Sequence, residues 1–151
     1  MSKINLLVAT IIITLLSSCG FHASYKNSAI NASITSSRHN AFADELQKRF
    51  NQNIPKTLAV QVGAENQNQR TASYNTSSNE ASSYTLSLSV PIKVFNQHNK
   101  LLLSQTFSAN TYLSKMDVSQ ADRLQIEEGY QQLRHLIIRQ LLRKLSKLNE
   151  N

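Results

Sequence analysis

Cysteine is nearly absent. The 151 residues hold one, Cys19, so no internal disulfide can form. Three glycines leave no glycine-rich loop to wrap a phosphate. The four histidines, His22, His39, His98 and His135, show no metal-ligand spacing, and only His22 lies near the cysteine. Asp44-Glu45 and Glu127-Glu128 are adjacent in sequence, and helix neighbours do not share a face, so neither pair makes a carboxylate dyad. These gaps lead us to expect no metal, no cofactor and no enzymatic activity. Acidic residues are also few, 9 against 16 basic, giving a formal charge of +7. Such an excess favours anionic partners: phosphate-rich lipid, an acidic protein surface or nucleic acid.

What is present begins with an apolar run. Lys3 and the amino terminus precede Ile4 to Leu16, thirteen residues broken by Asn5, Thr10 and Thr14. At ~1.5 Å per residue a helix of that length cannot cross a ~30 Å hydrocarbon core. Residues 1–18 therefore read as a signal peptide, which leaves 19–151 as one domain. The segment closes in Leu16-Ser17-Ser18-Cys19, which resembles the lipobox of bacterial lipoproteins. That resemblance implies acylation of Cys19, and Gly20 rather than Asp after it implies the outer membrane. An exported chain makes nucleic acid the least suitable of the anionic partners. No other segment approaches spanning length.

The rest alternates between two periodicities. Ile30, Ala32 and Ile34 alternate with polar residues and suggest a first strand. Phe42, Leu46 and Phe50 are four apart, on one face of a helix from about Arg38 to Asn51, with Ser36 or Ser37 as its cap. Leu58, Val60, Val62 and Ala64 give a second strand. Glu65 to Ser83 then runs nineteen residues without Leu, Ile, Val, Phe or Met. It reads either as a solvated loop or as a hydrophilic hairpin arm whose Arg70 and Tyr74 would meet a partner. Tyr84, Leu86, Leu88, Val90, Ile92 and Val94 form the cleanest strand, where Pro91 requires an edge or a bulge. Asn96 to Lys100 turns the chain into a strand from Leu101 through Phe107 towards Leu113. A final helix spans about Ser119 to Leu148, with Ser119 as cap and an apolar stripe from Ile126 to Leu148. Gly129 weakens that helix by about 1 kcal/mol relative to Ala. Its Arg134, Arg139, Arg143, Lys144 and Lys147 either form a solvated face that complements the helix dipole or bind an anion or partner. The order β-α-β-β-β-α predicts an α+β two-layer sandwich, with a four-stranded, mainly antiparallel sheet and both helices on one face.

Three stretches carry a resemblance. Cys19-Gly20-Phe21-His22, the strand Tyr84-Thr-Leu-Ser-Leu-Ser-Val90 after a polar stretch, and Phe107 with the helix closing in Arg139-Gln-Leu-Leu-Arg-Lys-Leu145 are similar to the LPS-assembly lipoprotein LptE family. The chain departs from that pattern at Ala23-Ser24-Tyr25, where members usually continue with Leu-Arg, and in a trimmed region between its first helix and second strand. The resemblance implies an outer-membrane lipoprotein facing the periplasm. It would plug the lumen of the β-barrel LptD, help that barrel assemble, and assist delivery of lipopolysaccharide to the outer leaflet. By neighbourhood it implies Arg70, Lys115 and Arg123 as candidates for LPS contact. A periplasm-facing ligand carrier, or another structural interaction protein, is the alternative.

Overall fold

The computed structural model describes residues 31–36 and 40–149. The leader, Cys19, His22, Ile30, Ser37, Arg38 and His39 lie outside the described residues. Chain order is β1 (Ala32–Ser36), α1 (Ala41–Gln47), β2 (Leu58–Val62), β3 (Asn66–Tyr74), β4 (Ala81–Asn96), β5 (Leu101–Ser114) and α2 (Ser119–Asn149). The fold is α+β, a mixed sheet with two helices.

The sheet has five strands where the sequence pattern suggested four. The additional strand, β3, comes from the stretch without aliphatic residues, and all nine of its residues are exposed. Its hydrogen bonds go to β4, not to a buried apolar face, so apolar periodicity had nothing to register. β5 pairs along β4 from Ser83 to Phe95, which places β2 and β3 together on the other flank of β4. They lie end to end, β2 opposite Leu58's partner Asn96 down to Ile92, and β3 opposite Ser89 to Ala81. The sheet is therefore four strands wide where β1 lies beside β2, in parallel, and three wide beyond.

Pro91 sits opposite the break between β2 and β3. Its missing N–H falls where no ladder bond is needed, and its carbonyl accepts from Gly63 N–H at 2.8 Å. A Cβ on Gly63 would lie 3.1 Å from Pro91 Cβ, so a glycine suits this close approach. Both hairpins turn on asparagine. Asn79 and Asn99 take positive φ of 55° and 56°, and Asn96 Oδ1 accepts from His98 and Lys100 N–H at 2.9 Å each.

The helices differ from expectation in their caps, although α2 begins at Ser119 as expected. Asn40, not Ser36 or Ser37, caps α1, its Oδ1 accepting Ala43 N–H at 2.6 Å, and the helix ends at Gln47. Phe50 is still buried, because the chain tightens into i→i−3 bonds through Arg49 and Phe50. In α2 the first bond runs from Asp122 N–H to Val118 C=O, so Ser119 lies inside the first turn instead of capping it. Asp122 reaches back to accept Met116 N–H at 2.9 Å.

One core fills the space between the layers. Leu86, Leu88, Val90, Ile92 and Val94 from β4 meet Leu133, Ile137, Ile138, Leu141 and Leu145 from α2, with Phe42 and Leu46 from α1. The five β4 residues recur with period 2, and the helix residues recur at threes and fours, near period 3.6.

Candidate interaction surface

Because alternate strand residues point to opposite faces, burial of the even-numbered residues of β4 sends the odd ones to the other side. No described helix covers that side. Cross-strand partners share a face, so the register lists its rungs. Thr35, Gln61, Lys93 and Ser104 form one. Asn66, Ser89 and Ser108 form another, followed by Asn68, Ser87 and Asn110, then Arg70, Thr85 and Tyr112. Hydroxyls and amides dominate, with Ala59, Phe95 and Pro91 as apolar interruptions. Near the β3–β4 turn, the Ser73 hydroxyl bonds to those of Ser82, at 2.8 Å, and Ser83. The Tyr112 phenol bonds to Ser83 and Ser73, which lowers its pKa by favouring the phenolate. The rungs of this open face are polar, with Lys93 and Arg70 as their charged residues.

On the helix side, Glu65 bridges the break between β2 and β3 to α2. Arg134 grips its carboxylate with Nε at 2.9 and 3.1 Å and a terminal nitrogen at 2.8 Å, and Gln67 Nε2 adds a bond at 2.7 Å. Burial pushes the Glu65 carboxyl up, but the Arg134 guanidinium, Gln67 and the Phe42 backbone outweigh it, and its pKa is lowered. Arg134 is thus a structural cation, not part of the solvated row on the last helix. Arg139, Arg143, Lys144 and Lys147 do stay exposed. His135 pairs with Glu45 at 2.6 Å and so links α2 to α1. Among the described residues no cluster of His, Cys, Asp and Glu could hold a metal ion, and no helix is long and apolar enough to cross a membrane.

The three candidate basic residues take different positions. Arg70 stands on the open face. Lys115 closes the end of β5, its N–H bonded to Ser82 C=O at 2.9 Å, beside a small surface pocket with Asn75, Glu80 and Asp117. Arg123 is exposed in the first turns of α2, where the bond from Met116 to Asp122 brings it towards Lys115. Lys115 and Arg123 therefore flank one loop, whose Met116 and Val118 are exposed beside Leu124. Arg70 is across the sheet from them. Tyr84 lies at the same end, its pKa raised by burial and by the Asp122 carboxylate. The serine–Tyr112 cluster escaped sequence reading, although the spacing of Asn110 and Tyr112 between apolar positions of β5 contained it.

A sequence profile described as LptE: Lipopolysaccharide-assembly matches residues 25–145, most of the chain. The chain belongs to the LptE family. Its fold is similar to that of rare lipoprotein B from Shewanella oneidensis, at 12% identity and a TM-score of 0.67, covering 80% of this chain and 97% of that one. A lipoprotein candidate from Caulobacter crescentus CB15 is similar at 12% identity and a TM-score of 0.56, covering 77% of this chain and 88% of the other. At such identities the likeness concerns fold alone. No curated protein matches in sequence. Membership of the LptE family gives the chain a role in lipopolysaccharide assembly, and that family is one of non-catalytic assembly proteins.

Proposed function

We propose that the chain is a non-catalytic outer-membrane lipoprotein, made with residues 1–18 as a cleaved leader and held by acyl chains on Cys19. In this reading it sits in the lumen of an LptD-like β-barrel, helps that barrel assemble, and assists passage of lipopolysaccharide to the outer leaflet. The observation that carries it is the uncovered sheet face. A barrel lumen is polar, and a plug within it needs a surface that satisfies polar neighbours without the cost of burying charge. The rungs of Asn, Ser, Thr and Gln supply such a surface. A ligand carrier would need an enclosed apolar space, and here Leu86, Leu133, Ile137 and Leu141 fill the interior.

Lys115 and Arg123, next to exposed Met116, Val118 and Leu124, offer cations beside apolar surface, which suits a phosphorylated amphiphile. Arg70 would make a separate contact from the open face. Changing Arg70, Lys115 and Arg123 together to Glu is expected to weaken lipopolysaccharide binding about tenfold or more, at roughly 0.5–1 kcal/mol for each exposed charge lost. Equal binding by the variant would make them ordinary surface charges. Extraction in mild detergent is expected to recover the protein with a large β-barrel. Recovery only as a free monomer would contradict the plug.

A further inference from the structure

The charges of this domain are segregated. Segments 49–58, 92–107 and 136–149 hold eight Lys and Arg and no carboxylate, whereas the other described residues hold five Lys and Arg and eight carboxylates. The formal charges are therefore +8 and −3.

The basic segments belong to one end of the molecule. Asn31 C=O accepts from Thr57 and Leu58 N–H at 2.9 and 3.3 Å, which places Asn31 beside segment 49–58. Gln97 Nε2 donates to Lys56 C=O at 3.4 Å, which brings the Asn96–Lys100 turn alongside. The second half of α2 runs over Gln105 to Ser108 of β5, where Arg143, Lys144 and Lys147 border a surface groove. Lys56, Lys100, Arg139, Arg143, Lys144 and Lys147 are all exposed. Carboxylates lie elsewhere: Asp117, Asp122, Glu127 and Glu128 on the first part of α2 and the loop before it, Glu80 at the β3–β4 turn.

We propose that this basic end, emerging from the barrel mouth on the anchored side, rests against the anionic phospholipid headgroup surface of the membrane that holds the anchor. The inference rests on the tethering by Cys19 proposed above. Cys19 precedes Asn31 by twelve residues, a reach of at most about 40 Å when extended. Asn31, the described residue nearest Cys19 in sequence, lies at this end, so the cations gather at the end nearest the anchor along the chain. Attraction to an anionic surface acts only within about a Debye length, ~8 Å at physiological salt. A tether keeps the basic end within range by raising its effective concentration there. Arg143, Lys144 and Lys147 share one groove, but Lys56, Lys100 and Arg139 stand outside it on three segments, which suits an extended surface better than a single phosphorylated ligand. Orientation is the consequence: the carboxylate-bearing end, with Lys115 and Arg123, points away from the headgroups.

The test is amine acetylation of the full chain as processed in cells. The chain is bound to vesicles of phosphatidylcholine alone or of phosphatidylcholine with phosphatidylglycerol, and each lysine is read by mass spectrometry. Lys56, Lys100, Lys144 and Lys147 are expected to react about fivefold more slowly on the anionic vesicles, the equivalent of about 1 kcal/mol per basic residue at the surface. Lys48 and Lys115 are expected to react equally on both, and salt near 1 M is expected to abolish the difference. Changing Arg139 and Arg143 to Gln, both exposed, is expected to shrink the protection of Lys144 and Lys147 without unfolding the domain. Equal labelling of the four lysines on both vesicles would overturn the proposal, as would protection that appears only when a protein partner is added. The acyl mass on Cys19 is read in the same spectra. Its absence would contradict the anchor, while lipid-dependent protection of a chain merely added to the vesicles would still be expected.

Discussion

At the scale of single residues, the pair Glu65–Arg134 shows how this fold treats charge. Both side chains are largely buried, 7% and 16% exposed, and they join sheet to helix at the break between β2 and β3. Removing one partner leaves the other desolvated and unpaired. Glu65→Ala or Arg134→Ala is therefore expected to cost about 3 kcal/mol, whereas replacing both by apolar residues of similar volume is expected to cost much less. Chemical denaturation of the three variants checks this. The pH dependence has a definite sign. The folded pKa of Glu65 lies below its unfolded value, so its contribution is complete above the usual carboxylate range near 4.3. It is lost as pH falls through the folded value. Thermal unfolding from pH 7 to pH 3 is expected to show a drop that Glu65→Gln largely removes. An unchanged slope in that variant would assign the acid sensitivity to other groups. Neither the pairing nor its partner was legible in the sequence, since Glu65 and Arg134 are 69 residues apart and each sits in a stretch that reads as solvated.

At the scale of elements, β4 and α2 were the most legible, because each buries a full face and burial imposes a period. Six even-numbered apolar residues in β4 and the threes and fours of α2 appear in the structure with the faces expected of them. Strand β3 was the least legible, and the reason is physical. It has no buried face, so the ladder to β4 and the Asn75–Glu80 turn define it, with Asn75 N–H bonded to Glu80 C=O at 2.8 Å. The start of α1 was missed by three residues and both caps were missed, because a cap depends on backbone geometry at a single Asn, Ser or carbonyl, whereas α2 begins at Ser119 as expected. Gly129 gained a reason. As a helix residue it loses about 1 kcal/mol against Ala, yet a Cβ there would come within 2.8 Å of Leu86 Cδ1 and 3.1 Å of Leu113 Cδ1. It lets α2 lie close to the sheet. Gly129→Val is expected to destabilise by about 2 kcal/mol or more through overpacking. Gly129→Ala is expected to fall near zero, propensity offsetting the displaced methyl groups. A clearly stabilised Val variant would show that the two layers have room to part.

At the scale of the whole molecule, three surfaces differ in chemistry. The open sheet face is polar, with Lys93 and Arg70 as the charges of its rungs. The end that holds Asn31 and the Asn96–Lys100 turn is basic, and the far end mixes carboxylates with Lys115, Arg123 and exposed apolar residues. Composition announced the excess of positive charge but not its segregation, which depends on β2 and β3 sharing one flank and on α2 running back along β5. The proposed plug depends most on the open face meeting a barrel wall. A photo-crosslinking amino acid at Asn68, Ser87 or Asn110, three neighbours on one rung of that face, tests this in intact cells. A covalent adduct with a large outer-membrane β-barrel at these positions is the predicted result. A chain that folds and reaches the membrane yet gives no barrel adduct from any of the three would contradict it.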